Sequence, residues 1–332
     1  MRLLIAYDGS RSSEAAIDDL YRCGLPPDGQ AEIIAVAEVW LPPPDEMSPD
    51  GDDTLSDPLP YVDELTDKFR EHGQRVLSEA EIFARHARTR VQSAFPDWDV
   101  TSTATYGSPA WEILNRADEV LPDLIVVGSQ GHSAVSRFML GSISQKVLTE
   151  ARCSVRVARG RIDVDPAPQR VVIGFDGSKG AEAAVDAAVS RNWQFGTEIR
   201  LIAVSDPITP TAIGRFLPPV TRVINDINVS ENRFLEKRAE KALKKLEAAG
   251  LSAELRIYPG NPKTILVEEA ENWSADCIFV GANSQGSNLA RFLIGSTSAA
   301  VAARAKCSVE VIRKQQTPSS PTETNGSDGA TR

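Results

Sequence analysis

Residues 124–144 decide the fold, and their sequence is LIVVGSQGHSAVSRFMLGSIS. The apolar run Leu124 to Val127 is typical of a buried strand, and a loop containing Gly128 and Gly131 follows it. Gly141-Ser142 then indicates the start of a helix. Glycines let a ligand approach the main chain, and the first N–H groups of a helix attract anions. The stretch therefore predicts a phosphate site between a strand and a helix.

The same pattern occurs twice along the chain. The turn Asp8-Gly9-Ser10 recurs as Asp176-Gly177-Ser178, and Gly141-Ser142 recurs as Gly295-Ser296. Around these motifs, short apolar runs alternate with helical patterns, an order typical of a parallel sheet covered on both faces. We expect an α/β protein made of two repeated, doubly wound domains, each with a five-stranded parallel sheet.

The domain limits follow from changes in composition. We expect one domain at residues 1–159, a linker at 160–169, a second domain at 170–313 and a disordered tail at 314–332. The first domain carries a proline-rich, acidic insertion at residues 41–53, which we interpret as a surface loop. A lid or a partner site is the alternative for this insertion.

Length and composition indicate an ordinary globular protein. The 332 residues are 42% hydrophobic and 25% charged, which is enough for two cores. No apolar run approaches the roughly 20 residues that cross a bilayer, and the N-terminal stretch resembles a strand more than a signal peptide. The four cysteines form no CxxC pair, so we expect buried, reduced thiols. Together these features predict a cytoplasmic location without membrane contact.

The net charge of -10 argues against a general nucleic-acid role, because binding a phosphate backbone needs a clustered basic face. A local basic run at residues 231–246 also contains glutamates. We interpret it as a solvated helix face with pairs of opposite charge four residues apart.

The glycine loop has its own spacing, Gly128-x2-Gly131-x9-Gly141-Ser142. This is neither the Walker pattern nor the dinucleotide fingerprint. Ligands of open parallel sheets bind beyond the carboxyl ends of the strands where the strand order reverses, so Asp8 and Gly128 should face each other there. A carboxylate accepts hydrogen bonds from hydroxyl or amine groups more readily than it binds a phosphate. If the phosphate belongs to a nucleotide, Asp8 should therefore contact the nucleoside part of it. The alternative is that the glycines only turn the chain and that Asp8-Gly9-Ser10 only caps a helix.

Taken together, the Asp-Gly-Ser turn, this glycine spacing and the closing Cys153-Ser154-Val155 strand resemble the universal stress protein family in a tandem form. The resemblance implies a Rossmann-like fold, also described as adenine-nucleotide alpha-hydrolase-like, that binds ATP, with Mg²⁺ as an optional companion. It implies nucleoside contacts by Ala6, Tyr7, Asp8 and Val36, and phosphate contacts by Gly128, Gly131, Gly141, Ser142, Ile143 and Ser144. His132 follows Gly131 and faces either a phosphate or water.

The second repeat departs from this spacing. Its loop is Gly281-x4-Gly286-x8-Gly295-Ser296, one residue longer, with the middle glycine displaced. A second nucleotide site would use Asp176, Val204, Gly281, Gly286, Gly295, Ser296, Thr297 and Ser298. Whether one chain binds one nucleotide or two stays open.

The sequence shows no convincing catalyst, since no nucleophile and base stand at a meaningful spacing around the three histidines. We therefore predict an adenine-nucleotide-binding protein of stress response or signalling, acting through nucleotide-dependent conformation or partner choice. One alternative is a pure interaction protein with a vestigial site that acts by dimerisation. The other is an enzyme, a slow ATPase or a transferase, that uses Asp8 or a loop-bound divalent ion. The resemblance also implies that the closing strands, Ser154 to Ala158 and Ser308 to Ile312, pair the two halves as an internal pseudo-dimer. A homodimer of chains stays open.

Overall fold

The computed structural model describes residues 1–39, 60–131, 140–159, 167–206, 218–282 and 294–314. In the first half the elements are β1 (Arg2–Ala6), α1 (Arg11–Asp19), β2 (Gly29–Ala37), α2 (Pro60–Ala94), β3 (Trp98–Tyr106), α3 (Pro109–Val120), β4 (Leu124–Gly128), α4 (Ser142–Glu150) and β5 (Ser154–Ala158). The second half has β6 (Arg170–Gly174), α5 (Lys179–Val189), β7 (Glu198–Ser205), α6 (Pro218–Ala248), β8 (Ser252–Pro259), α7 (Pro262–Asn272), β9 (Cys277–Gly281), α8 (Ser296–Arg304) and β10 (Ser308–Ile312). The predicted alternation of strands and helices is confirmed.

The connection from α1 to β2 is short. Helix α1 ends at Asp19 and continues as a 3-10 turn over Leu20–Arg22. The chain then reverses at Gly24, whose φ of 60° suits glycine, to enter β2. The insertion at 41–53, most of the predicted linker (160–166) and the tail at 315–332 lie outside the described residues, so those predictions stay untested.

Ten strands form one sheet in the order β3-β2-β1-β4-β5-β10-β9-β6-β7-β8. Within each half the strands are parallel, and β5 pairs with β10 in the antiparallel sense. The two five-stranded parallel sheets predicted from the repeat are thus joined at their closing strands. Because β1 lies between β2 and β4, the strand order of the first half reverses between β1 and β4. This is where a ligand site is expected in an open parallel sheet.

The apolar core lies on both faces of this sheet. One cluster continues across the two halves beneath α3, α4, α7 and α8, and includes Leu4, Ile125, Val155 and Val309. Two further clusters, one in each half, lie under α1 with α2 and under α5 with α6. Three of the four free cysteines are buried, as expected, and Cys307 is partly exposed. Among the described residues, none of the helices has the length and apolar character that a bilayer crossing requires.

At the junction of the halves, two arginines reach across. Arg159, which follows β5, donates from Nη2 to the carbonyl of Ala302 in α8 at 2.6 Å. Arg313, which follows β10, donates in the same way to the carbonyl of Leu148 in α4 at 2.7 Å. Positive charge near a helix C-terminus is favourable because the last carbonyls lack partners within the helix. Each half therefore supplies a C-terminal cap to a helix of the other half.

Candidate functional site

A cavity of about 560 Å³ opens beyond the carboxyl ends of the first-half strands. Its lining comes from stretches far apart in the sequence: the ends of β1, β2 and β4, the helices α2 and α3, and the loop leading into α4. We call it the first-half cavity. It brings together every described residue that the family resemblance implied for the first nucleotide site, namely Ala6, Tyr7, Asp8, Val36, Gly128, Gly131, Gly141, Ser142, Ile143 and Ser144.

Asp8 is held in place by the turn that follows β1. The Ser10 N–H donates to Asp8 Oδ1 at 3.0 Å, and the Ser10 hydroxyl in turn caps α1 by accepting from the Ser13 N–H. The other oxygen, Oδ2, is 3.4 Å from where a Cβ on Gly131 would stand. The turn therefore both starts the helix and directs one carboxylate oxygen toward the glycine loop.

Tyr7 is buried, and its hydroxyl donates to Glu14 of α1. Burial raises the pKa of the Tyr7 hydroxyl above its ordinary value, which nearby Asp8 reinforces and Arg90 opposes. Arg90 of α2 also forms an ion pair with Glu14. The hydroxyl is thus tied to a group of charges on α1 and α2, and we assign Tyr7 a structural part in the cavity wall.

The glycine loop is braced by its own hydrogen bonds. The Gly141 N–H donates to the carbonyl of Ser129 at 2.8 Å, and the Gln130 N–H donates to the Ser12 hydroxyl at 3.1 Å. The Ser144 hydroxyl donates to the carbonyl of Gly128 at 2.6 Å. Ser144 therefore connects α4 to the end of β4, which is a structural use of a side chain that the resemblance placed at the phosphates.

The start of α4 forms the opposite end of the cavity from β2. Its N-cap is Gly141, and no side chain of the described residues caps it. The first N–H groups of a helix lack partners within the helix, and together with the helix dipole they favour an anion. Ser142 and Ile143, the first two helical residues, line the cavity at this point. This end of the cavity can accept negative charge.

Part of the wall was not predicted from the sequence. Val76, Ala80 and Phe83 of α2 and Ile113 of α3 line the cavity beside Val36. The three α2 residues are three or four positions apart, which places them on one helix face. That spacing was visible in the sequence, but it did not indicate that this face covers the site. The apolar side chains provide a surface suited to a flat ring.

The charged groups of the described lining are all carboxylates, from Asp8, Glu38 and Glu79. Within the described part of the chain, an anion in this cavity would be held by main-chain N–H groups and hydroxyls. The described residues also contain no group of three His, Cys, Asp or Glu side chains placed to hold a metal ion. His132 lies outside the described residues, so its predicted contact stays untested.

The second half repeats the framework of this site. The Ser178 N–H donates to Asp176 Oδ1 at 2.9 Å, and the Ser298 hydroxyl donates to the carbonyl of Gly281 at 2.6 Å. Gly295 is the N-cap of α8, which starts with Ser296 and Thr297, and Val204 lies near the end of β7. The residues equivalent to the brace and turn of the first half are thus in the same arrangement. Gly286 lies outside the described residues.

The two halves differ in the residue that covers the Asp-Gly-Ser turn. In the first half, a Cβ on Gly9 would stand 3.1 Å from the ring of Phe83. In the second half, Arg238 of α6 takes this place and donates from its guanidinium to the carbonyl of Gly177. The aromatic ring beside the turn in the first half is therefore replaced in the second half by a guanidinium that is hydrogen-bonded to the turn.

The universal stress protein family model matches this chain twice, at residues 1–159 and 168–313. A universal stress protein of Mycobacterium tuberculosis is 27% identical over 268 residues, which cover 77% of this chain and 82% of that protein. The universal stress protein YxiE of Bacillus subtilis is 28% identical over 158 residues, covering 48% of this chain and 98% of YxiE.

Among solved structures, a universal stress protein from Archaeoglobus fulgidus matches with a TM-score of 0.56 and 22% identity, over 94% of this chain and 96% of that one. At this identity the match supports the fold alone. A universal stress protein described in complex with cAMP and one from Arabidopsis thaliana described with AMP bound match 44% and 45% of this chain, with TM-scores of 0.29 and 0.31. With both halves matched by the family model, the chain belongs to the universal stress protein family and contains its domain in tandem.

Proposed function

We propose that this protein binds an adenine nucleotide, ATP in the first instance, in the first-half cavity, and that occupancy changes its conformation or its choice of partner in a cytoplasmic stress response or signalling process. The observation that supports the proposal is that the ten described residues implied by the family resemblance all line one cavity of about 560 Å³. Pockets of roughly 300–1,000 Å³ are typical of small-molecule sites.

The cavity has a suitable group for each part of a nucleotide. Val36 and Phe83 offer apolar surface for the base, and Asp8 offers a fixed carboxylate to the hydroxyls of a ribose. The start of α4 and the glycine loop offer N–H groups to the phosphates. In the first repeat Gly131 itself adds no side chain beside Asp8, whose Oδ2 lies 3.4 Å from where a Cβ would stand. We assign His132 to the phosphates as well.

Magnesium would enter this site with the phosphates. The described residues do not supply a three-ligand metal site of their own. Mg²⁺ commonly keeps several waters and binds substrate phosphate oxygens, so the phosphates of the nucleotide and water would supply most of its ligands here. We therefore propose that Mg²⁺ binds together with ATP, and that the protein without nucleotide does not hold it.

Two other functions remain as competitors, and each has a decisive measurement. A pure interaction protein would carry no nucleotide after purification and would show no thermal shift with ATP. A slow ATPase would release phosphate at a rate that disappears in Asp8→Ala. We expect adenine nucleotide in the extract of the purified protein and a rise in melting temperature with ATP, and absence of both would refute nucleotide binding.

Asp8→Ala should weaken ATP binding about tenfold or more, because a hydrogen bond to a charged group contributes roughly 1.5–3 kcal/mol. Asp176→Ala is the matched control, since Asp176 makes the same turn hydrogen bond in the second half, at 2.9 Å against 3.0 Å. Isothermal titration calorimetry of both variants compares the sites directly. Equal affinities in Asp8→Ala and the unchanged protein would contradict the placement of the nucleoside.

The two halves should also differ in affinity. We propose that the second-half site, at Asp176, Val204, Gly281, Gly286, Gly295, Ser296, Thr297 and Ser298, binds nucleotide more weakly because Arg238 covers its turn where the first half has Phe83. A titration of the unchanged protein should then show one tight site per chain. Two sites of equal affinity would show that Arg238 is no obstacle.

A further inference from the structure

The strands that join the two halves carry a pair of charges at their centre. In the register of β5 and β10, Arg156 lies directly opposite Glu310, flanked by valine pairs on both sides. Both residues are 0% exposed. Burying a charge in a strand costs free energy unless the charge is paired and hydrogen-bonded, so we expect both side chains to have partners of opposite charge.

The partners form a chain of alternating charge, Asp19–Arg156–Glu310–Arg191. Arg156 donates from Nε to Asp19 Oδ2 at 2.6 Å and from Nη1 to Glu310 Oε2 at 3.1 Å. Arg191 donates to the other oxygen of Glu310. Asp19 also accepts a hydrogen bond from the Ser308 hydroxyl at 2.7 Å. We call these four residues the junction network.

The junction network breaks the symmetry between the repeats. Arg156 and Glu310 are 154 residues apart and occupy equivalent positions in their strands. Aligning the Asp-Gly-Ser turns places Ala187 where the first half has Asp19, and Cys23 where the second half has Arg191. Each half therefore supplies one acid and one base. In the first half the base, Arg156, lies on the strand and the acid, Asp19, at the helix end. In the second half the acid, Glu310, lies on the strand and the base, Arg191, follows the helix.

The rim of the junction, in contrast, is symmetric. The Arg159 N–H donates to the Ser308 hydroxyl at 2.9 Å, and the Arg313 N–H donates to the equivalent Ser154 hydroxyl at 3.1 Å. The rim would therefore serve a pair of identical halves as well as the pair observed. The centre would not, because two first halves would set Arg156 against a second arginine, and two second halves would set Glu310 against a second glutamate.

We propose that the junction network makes this surface selective, so that each half accepts the other half and rejects a second copy of itself. Like charges placed directly opposite each other on neighbouring strands destabilise the pairing, and burial removes the water that would screen them. The partner that fits the β5 edge is thus a strand with an acid at its centre, which this chain supplies itself. Association between chains then requires a different surface.

The test uses two nearly isosteric variants of the full chain that differ in one charge. D19A/R156E gives the first half the alanine and the glutamate of the second half at these two positions, with Cys23 unchanged, and so sets a glutamate directly against Glu310. D19A/R156Q has the same shape without the charge. By urea unfolding at pH 8, we expect D19A/R156E to have an unfolding equilibrium constant on the order of tenfold larger than that of D19A/R156Q. Values within twofold would overturn the proposal.

If neither variant folds, the single variants R156Q and E310Q and their double variant decide the question. The proposal requires coupling across the junction, so the effect of the double variant on the unfolding equilibrium should differ at least about tenfold from the product of the single effects. Effects that multiply to within twofold would mean that the two charges do not interact, and the proposal would fail.

Discussion

Gly131→Val is expected to lower the affinity for ATP about 100-fold while leaving the fold intact. Gly131 does not have a left-handed φ, so its backbone accepts a side chain. A Cβ there would stand in ordinary contact with Asp8 Oδ2, at 3.4 Å, and the two methyl groups of valine would extend into the space between Asp8 and the start of α4. Overpacking a formed site costs roughly 1–3 kcal/mol, and each 1.4 kcal/mol is about tenfold in affinity.

The control for this prediction is Gly131→Ala, whose Cβ makes only the ordinary contact. Alanine should lose little affinity, and both variants should unfold at the urea concentration of the unchanged protein. Affinity is measured by calorimetry and stability by circular dichroism. A Gly131→Val protein that binds ATP like the unchanged protein would show that the nucleotide does not use the first-half cavity.

Gly281→Ala is expected to destabilise the protein by about 3 kcal/mol. A Cβ at this position would stand 2.4 Å from the carbonyl carbon of Gly180 and 2.6 Å from its oxygen, so the end of β9 and the first turn of α5 would have to separate. Both groups belong to the backbone and cannot move aside as a flexible side chain would. Gly128 has the same relation to Ser12 in the first half, at 2.9 Å.

Gly174→Ala is the matched control, since it also lies at the end of a strand. Its Cβ would meet the side chains of Val280 and Leu266 at 3.1 and 3.2 Å, which have more freedom to adjust. Urea unfolding of the two variants should therefore give a clearly larger loss for Gly281→Ala. Equal losses of unfolding free energy in the two variants would mean that the start of α5 has room to shift, and that Gly281 matters only for ligand binding.

The fold could be predicted from the sequence because its signals are local. Short apolar runs, a proline at the start of α3 and the repeated Asp-Gly-Ser turn each specify an element or a connection without reference to the rest of the chain. The neighbouring positions of β1 and β4 also follow from the rule for strand reversal, which placed Asp8 opposite Gly128. The main-chain part of the candidate site was predictable for the same reason, since Gly128, Gly131 and Gly141 are recognised by their spacing.

The rest of the site depends on tertiary packing. Phe83 and Val76 lie on a long helix that follows an insertion, and nothing in their spacing indicates which part of the helix covers the first-half cavity. Arg238 belongs to the basic run that we interpret as a solvated helix face, and its charged residues from Arg233 to Lys245 are exposed on α6. Its contact with the carbonyl of Gly177 is set by how α6 packs on α5, and no local signal shows it.

The junction network is a third case. Its charged residues are visible in the sequence, but their partners cannot be identified from the neighbouring residues. The strands SVRVA and SVEVI differ in their central residue, a base in one and an acid in the other. Each charge taken alone contradicts a buried strand. Only the antiparallel register, which sets Arg156 opposite Glu310, makes the difference between the two repeats intelligible.

The exchanged arginines at the junction have a consequence for how the protein comes apart. Because Arg159 caps α8 and Arg313 caps α4, neither half has all of its helix ends satisfied when it is alone. The apolar cluster beneath β5 and β10 also contains residues of both halves, so neither half buries it completely when alone. Loss of order in one half therefore removes support from the other, and the tandem chain should melt as a single cooperative unit rather than domain by domain.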